Sequence, residues 1–106
     1  LPYLYERGDH TRLIITEDVV SALRCYEHGD ILALGGLNYQ KEFISCVILK
    51  YSEIILWLDG DKAGRDAARK FCDKWGRFKK VRNIVSKRDP KDYSDSEIKE
   101  ILSDRN

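Results

Sequence analysis

Asp59 and Asp61 close the apolar run Ile54-Ile55-Leu56-Trp57-Leu58 and are separated by a single glycine. A run of that kind reads as a buried strand, and a strand ending in two acids delivers both carboxylates to its C-terminal edge. Residues two apart in an extended chain project to the same side, and Gly60 lets a phosphate or a metal approach the backbone closely. Two convergent carboxylates suit a hard divalent cation such as Mg²⁺. Glu17 follows a shorter β-branched run, Arg12 to Thr16, and Asp89 and Asp92 follow another, Val81 to Val85. In a parallel sheet all strand C-termini share one edge, so Glu17 can meet Asp59 across about forty residues of chain. That convergence is what metal-assisted phosphoryl chemistry requires.

The elements that must position these acids alternate in type. Strand periods cover Arg12 to Thr16, Ile31 to Leu34, Glu53 to Leu58 and Val81 to Val85. Between them lie helix periods. The first starts after Glu17-Asp18 with Val19, Val20, Leu23 and Tyr26 as its apolar positions and stops at Gly29; the second is capped by Asn38 and runs to about Lys50. The third spans Lys62 to Trp75, and a last helix, Glu97 to Leu102, is capped by Ser94 or Asp95. The pair Gly35-Gly36 closes the second strand as a turn. Strands alternating with helices predict an α/β fold: a mainly parallel four-stranded sheet covered on both faces, with right-handed crossovers. Residues 1–10 read as a linker or flanking strand and residues 11–106 as one domain. The absence of an initiator Met leads us to expect a piece of a longer polypeptide.

The chain is 106 residues long with a formal net charge of +1, but the charge is unevenly placed. Lys62 to Lys91 carries twelve Lys/Arg against three Asp/Glu, a net of +9, while the other residues hold seven against fifteen, a net of −8. A basic stretch directly after an acidic pair suits a phosphate polyanion processed through a bound cation. No apolar run approaches the roughly 20 residues of a membrane span, and no signal-peptide pattern opens the chain, so a cytoplasmic domain with no membrane partner is expected. Cys25, Cys46 and Cys72 form no C-x-x-C pair and read as reduced core or near-core thiols; the Cys25/His28 spacing finds no second ligand pair. His10 reads as solvent-facing, Trp57 as core, and Trp75 as core or a stacking platform.

Ordinary structural roles compete with the chemical ones. Asp59-Gly60-Asp61 can be a turn that caps the next helix, Glu17 an acid favoured by a helix dipole, and Asp89 and Asp92 plain turn residues. A calcium-loop reading fails because Ala63 and Lys70 stand where ligands are needed. Gly35-Gly36 lacks the Lys-Ser/Thr of a phosphate-binding loop, and a receiver-like phosphoacceptor at Asp59 is disfavoured by Asp61 so close in the chain.

Taken together, the residues resemble the topoisomerase-primase (TOPRIM) domain, whose signature is a Glu after the first strand and an Asp-x-Asp after the third. The likeness runs through Leu13-Ile14-Ile15-Thr16-Glu17, Ala22-Leu23, Ala33-Leu34-Gly35-Gly36, Leu58-Asp59-Gly60-Asp61-Lys62-Ala63-Gly64-Arg65-Asp66-Ala67-Ala68 and Lys87-Arg88-Asp89-Pro90-Lys91-Asp92. It is similar to the primase and phage primase-helicase branch, and implies a compact Rossmann-like fold. Two positions depart from that pattern: Asp18 stands where Gly is usual, and Ser21 where an Asp is usual.

The resemblance implies nucleotidyl transfer in RNA primer synthesis. Asp59 and Asp61 would bind Mg²⁺ or Mn²⁺, Glu17 would be a further ligand or the acid/base at the 3′-hydroxyl, and Asp89 and Asp92 would complete a second metal position. Lys62, Arg65, Arg69, Lys87 and Arg88 would contact nucleic acid. Implied partners are a single-stranded DNA template, ribonucleoside triphosphates, a neighbouring primase subdomain, a zinc-binding domain and a replicative helicase, in a bacterial cell or phage-infected host. The same acids in a topoisomerase or nuclease relative cut strands instead. A third alternative is a non-catalytic nucleic-acid-binding module of the same fold.

Overall fold

The computed structural model describes residues 3–7, 11–35 and 41–103. The elements, in chain order, are β1 (Tyr3–Tyr5), β2 (Arg12–Thr16), α1 (Val19–Arg24), β3 (Asp30–Ala33), α2 (Lys41–Leu49), β4 (Glu53–Leu56), α3 (Lys62–Trp75), β5 (Lys80–Asn83) and α4 (Asp95–Ser103). Short 3-10 turns occupy Tyr26–His28 and Pro90–Asp92. The sheet order is β1-β3-β2-β4-β5, with β3, β2, β4 and β5 parallel and β1 antiparallel to β3. The four expected parallel strands are present, and Tyr3–Tyr5 adds a fifth at the edge. His10, Gly36 and Asn38, to which solvent, turn and cap roles were assigned, lie outside the described residues.

Strand alternation builds the layers. Leu13, Ile15, Leu32, Ile54, Leu56 and Leu58 point to one face, where they meet Ile44, Val47 and Ile48 of α2 and Ala68 and Phe71 of α3. Ile14, Ile31, Ala33, Ile55 and Trp57 point to the other, against Ala22 of α1, Cys25 and Ile98 and Leu102 of α4. Both faces are covered, as a parallel sheet requires. Trp57 is fully buried, as its place in the apolar run predicts, and Trp75 is partly buried against the α2/α3 layer.

The first helix turns a different face inward from the one its apolar residues predict. Ser21, Ala22 and Cys25 are buried, while Val20 is 58% and Leu23 49% exposed. Asp18 sets this phase. Its Oδ1 accepts from Ser21 N at 2.7 Å and its extended backbone starts the helix, so small residues face the sheet and the helix packs close. The helix is also shorter than expected, passing at Cys25 into the 3-10 turn. At the other end of the chain, Ser94 and Glu97 form a reciprocal cap: Glu97 N donates to Ser94 Oγ at 3.2 Å and Ser94 N to Glu97 Oε1 at 2.9 Å. Cys25 is buried, its thiol pushed up to about 12 by desolvation, and Cys72 is partly covered. Cys46 is exposed, which corrects its expected place in or near the core.

One polar group is locked into the core away from the acidic edge. Asp30 is fully buried; its Oδ1 accepts from Arg7 N at 2.8 Å and its Oδ2 from the Tyr51 hydroxyl at 2.6 Å. Removing one partner of a buried carboxylate costs about 1–3 kcal/mol. Tyr51→Phe therefore lowers the urea midpoint by an amount in that range, and an unchanged midpoint contradicts this role for the pair.

Candidate functional site

The crossover direction reverses at β2. From β2 the chain passes through α1 to β3 on one side, and from β3 it returns through α2 to β4 on the other. The crevice at the C-terminal ends of β2 and β4 is thus the switch point at which open α/β sheets carry ligands. Glu17 follows β2 and Asp59 follows β4. The backbone ladder reaches almost to them: Trp57 N donates to Ile15 O at 2.8 Å, and Gly35 N to Glu17 O at 2.9 Å. Gly35 has φ 73°, a left-handed conformation that suits glycine and turns the chain away at this edge.

Glu17 and Asp59 meet. Asp59 N donates a long bond of 3.4 Å to Glu17 Oε1, and the two carboxyls lie within hydrogen-bonding reach of each other. Asp59 Oδ1 is buried without a hydrogen-bond partner. Burial, then the nearby charges of Glu17, Asp89 and Asp18, push the Asp59 carboxyl up to about 7. A closely spaced acid pair of this kind favours holding a proton or a cation over holding two bare charges.

Two glycines make the approach sterically feasible. A Cβ on Gly64 would stand 2.1 Å from Asp59 O and 3.0 Å from Glu17 Oε1, and one on Gly60 would stand 2.4 Å from Ser86 O. Ser86 in turn accepts from the Trp57 indole at 2.9 Å and donates to Arg88 O at 2.7 Å, fixing the loop after β5 to the buried tryptophan. A pocket of about 210 Å³ lies beside Asp59, lined among others by Gly60, Gly64, Arg65, Ile84 and Ser86.

The remaining acids have other engagements. Asp61 is the N-cap of α3, its Oδ1 accepting from Gly64 N at 2.7 Å. Strand β4 ends at Leu56, so Asp59 and Asp61 do not share an extended segment. Asp89 acts on Asp59 and also faces Lys91, whose Nζ is 3.7 Å from its Oδ2. Asp92 is exposed on the Pro90–Asp92 turn. Asp18 is occupied by its cap, by Ser21 Oγ at 3.2 Å and by Lys91 at 3.4 Å. Among the described residues, no group of three or more His, Cys, Asp or Glu side chains converges tightly enough to hold a metal ion.

A model of the Toprim-like family matches residues 14–95, from within β2 to the first residue of α4. The chain belongs to the Toprim-like family. Among solved structures, it is similar to a DNA primase domain from Pseudomonas aeruginosa, with a TM-score of 0.62 and 22% identity over 89% of this chain and 30% of that one. It therefore spans less than a third of that primase chain, and the likeness establishes the fold. No curated protein matches it.

In this Toprim-like chain the basic residues singled out from the sequence lie around the same end of α3 and on the loop after β5. Arg65 donates to Gly60 O at 2.7 Å and lines the pocket beside Asp59. Lys62 and Arg69 both pair with Asp66, at 3.6 and 2.8 Å. Arg88 lies 4.3 Å over the Tyr93 ring and 3.4 Å from Glu97, and Lys87 is exposed. Three residues at the edge carry no role in the spacing argument: Gly64, Ser86 and Lys91. Gly64 and Lys91 fall inside the motifs that carry the resemblance, and Gly64 left a physical trace as well, a helix-disfavouring residue in the first turn of a helix that could have held alanine. Among the described residues, no helix is long and apolar enough to cross a membrane.

Proposed function

We propose that this domain carries out metal-dependent nucleotidyl transfer in RNA primer synthesis, as the catalytic TOPRIM domain of a DNA primase or primase-helicase. The observation that carries the reading is the Glu17/Asp59 pair at the switch point, with Asp59 Oδ1 buried and unpartnered. The donor set fits Mg²⁺ or Mn²⁺: such ions are usually held by one or two carboxylates, with substrate phosphates and water completing the shell. Glu17 and Asp59 would hold one such cation, with Asp61, two residues on, and Asp89, whose charge acts on Asp59, to assist, and Asp92 at the rim. When bound, it stabilises charge developing on the phosphoryl oxygens and lowers the pKa of the attacking hydroxyl.

The chain's own residues do the rest. Glu17, whose carbonyl accepts from Gly35 N just after β3, either adds its carboxylate to the cation's ligands or accepts the proton of the primer 3′-hydroxyl as that oxygen attacks the α-phosphate and pyrophosphate leaves. Lys62 and Arg65, in the first turn of α3, bind phosphates with help from the helix dipole. Arg65 is prepositioned by Gly60 O, and Arg69, Lys87 and Arg88 extend the basic surface along the template. The partners are single-stranded DNA and ribonucleoside triphosphates, with a primase subdomain, a zinc-binding domain and a helicase as neighbours in the cytoplasm. In the native polypeptide that carries this chain, Asp59→Asn and Glu17→Gln each lower primer synthesis on single-stranded DNA at least 100-fold while template binding persists. Normal primer yields from both variants contradict the reading. DNA binding insensitive to Mg²⁺, with no synthesis by the wild type, would favour the non-catalytic module, a reading supported by the engagement of Asp18 and Asp61 in helix caps.

A further inference from the structure

The acidic edge already contains a cation, supplied by the chain. Lys91 Nζ lies 3.4 Å from Asp18 Oδ2 and 3.7 Å from Asp89 Oδ2, joining the start of α1 to the loop after β5. Asp18 cannot swing away from this contact without giving up its cap on α1, since its Oδ1 accepts from Ser21 N and its Oδ2 from Ser21 Oγ. Lys91 is fixed at its backbone. It lies in the Pro90–Asp92 turn, where Pro90 is buried and Asp92 N donates to Asp89 O at 2.9 Å. Lys91 thus bridges Asp18 and Asp89, beside the Glu17/Asp59 pair.

An ammonium and a divalent cation compete for the same oxygens. A second divalent ion bridging Asp89 to Asp59 must displace Lys91 from Asp89 and bear the repulsion of an ammonium that keeps its pair with Asp18. We infer that Lys91 is the built-in occupant of the second cation position, restricting this chain to one divalent ion, at Glu17 and Asp59. The inference rests on the proposed cation site at those two residues and assigns Lys91 a positioning and stoichiometric role.

Mn²⁺ binding to the full chain tests it, with free Mn²⁺ followed by electron paramagnetic resonance and no dependence on activity. The wild type and Lys91→Arg are expected to bind one Mn²⁺. Lys91→Gln, which keeps the length and loses the charge, is expected to bind two; a single Mn²⁺, however tightly held, overturns the inference. Lys99→Gln, the same charge loss on the exposed face of α4, controls for net charge. If Lys91→Gln changes Mn²⁺ binding no more than Lys99→Gln does, Lys91 is an ordinary surface pair and the inference fails, with the Glu17/Asp59 site intact. If neither the wild type nor any variant binds Mn²⁺, the cation site itself is lost and the inference with it.

Discussion

Asp59→Asn makes the metal-free chain more stable at pH 8 and leaves its stability below pH 4 unchanged. The Asp59 carboxyl is pushed from 3.8 to about 7 by burial and by its acidic neighbours. A group with a raised folded pKa favours folding when protonated, so its contribution is fully present below 3.8 and is lost as pH rises to about 7. Above that, the wild type folds only by holding a partly buried charge against Glu17. At 1.36 kcal/mol per pH unit, and after allowance for solvent screening at a partly exposed group, the gain in the Asn variant is about 2 kcal/mol. Urea midpoints measured from pH 4 to pH 8 should open a gap between the two proteins across that window. A variant less stable than wild type at pH 8, or a gap independent of pH, contradicts the strained acid pair. Stability given up in the empty state is what a site organised for a cation has to offer.

Gly64→Ala has the opposite sign from most glycine-to-alanine changes in helices. In an open helical position alanine gains roughly 0.5–1 kcal/mol. Here the added Cβ would stand 2.1 Å from the Asp59 carbonyl oxygen and 3.0 Å from its carbon, both backbone atoms that move only with the β4–α3 connection. The same Cβ meets Glu17 Oε1 at 3.0 Å, so relief of the clash separates the two acids. Overpacking of this kind costs about 1–3 kcal/mol, and a rigid backbone neighbour places it at the upper end. The melting temperature should fall by more than about 10 °C, at 4–8 °C per kcal/mol for a chain of this size. A Gly64→Ala protein that melts at or above the wild-type temperature shows that the connection yields freely and that the close approach has no structural weight.

Much of the layer structure was readable because alternation is a local signal. Ile54 to Leu58 and Leu13 to Ile15 each send successive side chains to opposite cores, and the strand boundaries follow. Glu17 and Asp59 were readable for the same reason, since each ends an apolar run and parallel topology brings those ends together. The inward face of α1 was not, because one capping carboxylate, Asp18, outweighs the apolar residues Val19, Val20 and Leu23 in setting the helix phase. Asp61 takes the helix-capping role that its place before α3 also offered, its oxygen satisfying the first-turn N–H of Gly64. The Lys91 bridge to Asp18 spans 73 residues, and the Trp57 to Ser86 bond 29. Contacts of that range depend on the completed sheet, which no residue spacing encodes.

The most direct test of the central claim is a titration of the chain with Mg²⁺ and Mn²⁺ followed by amide NMR, repeated with Asp59→Asn. Saturable shifts at Glu17, Asp59 and Gly64, absent from the variant, are the predicted result. No response up to about tens of millimolar, beyond the weakest cation sites normally considered functional, or the same shifts in Asp59→Asn, would contradict a divalent-cation site built on Glu17 and Asp59.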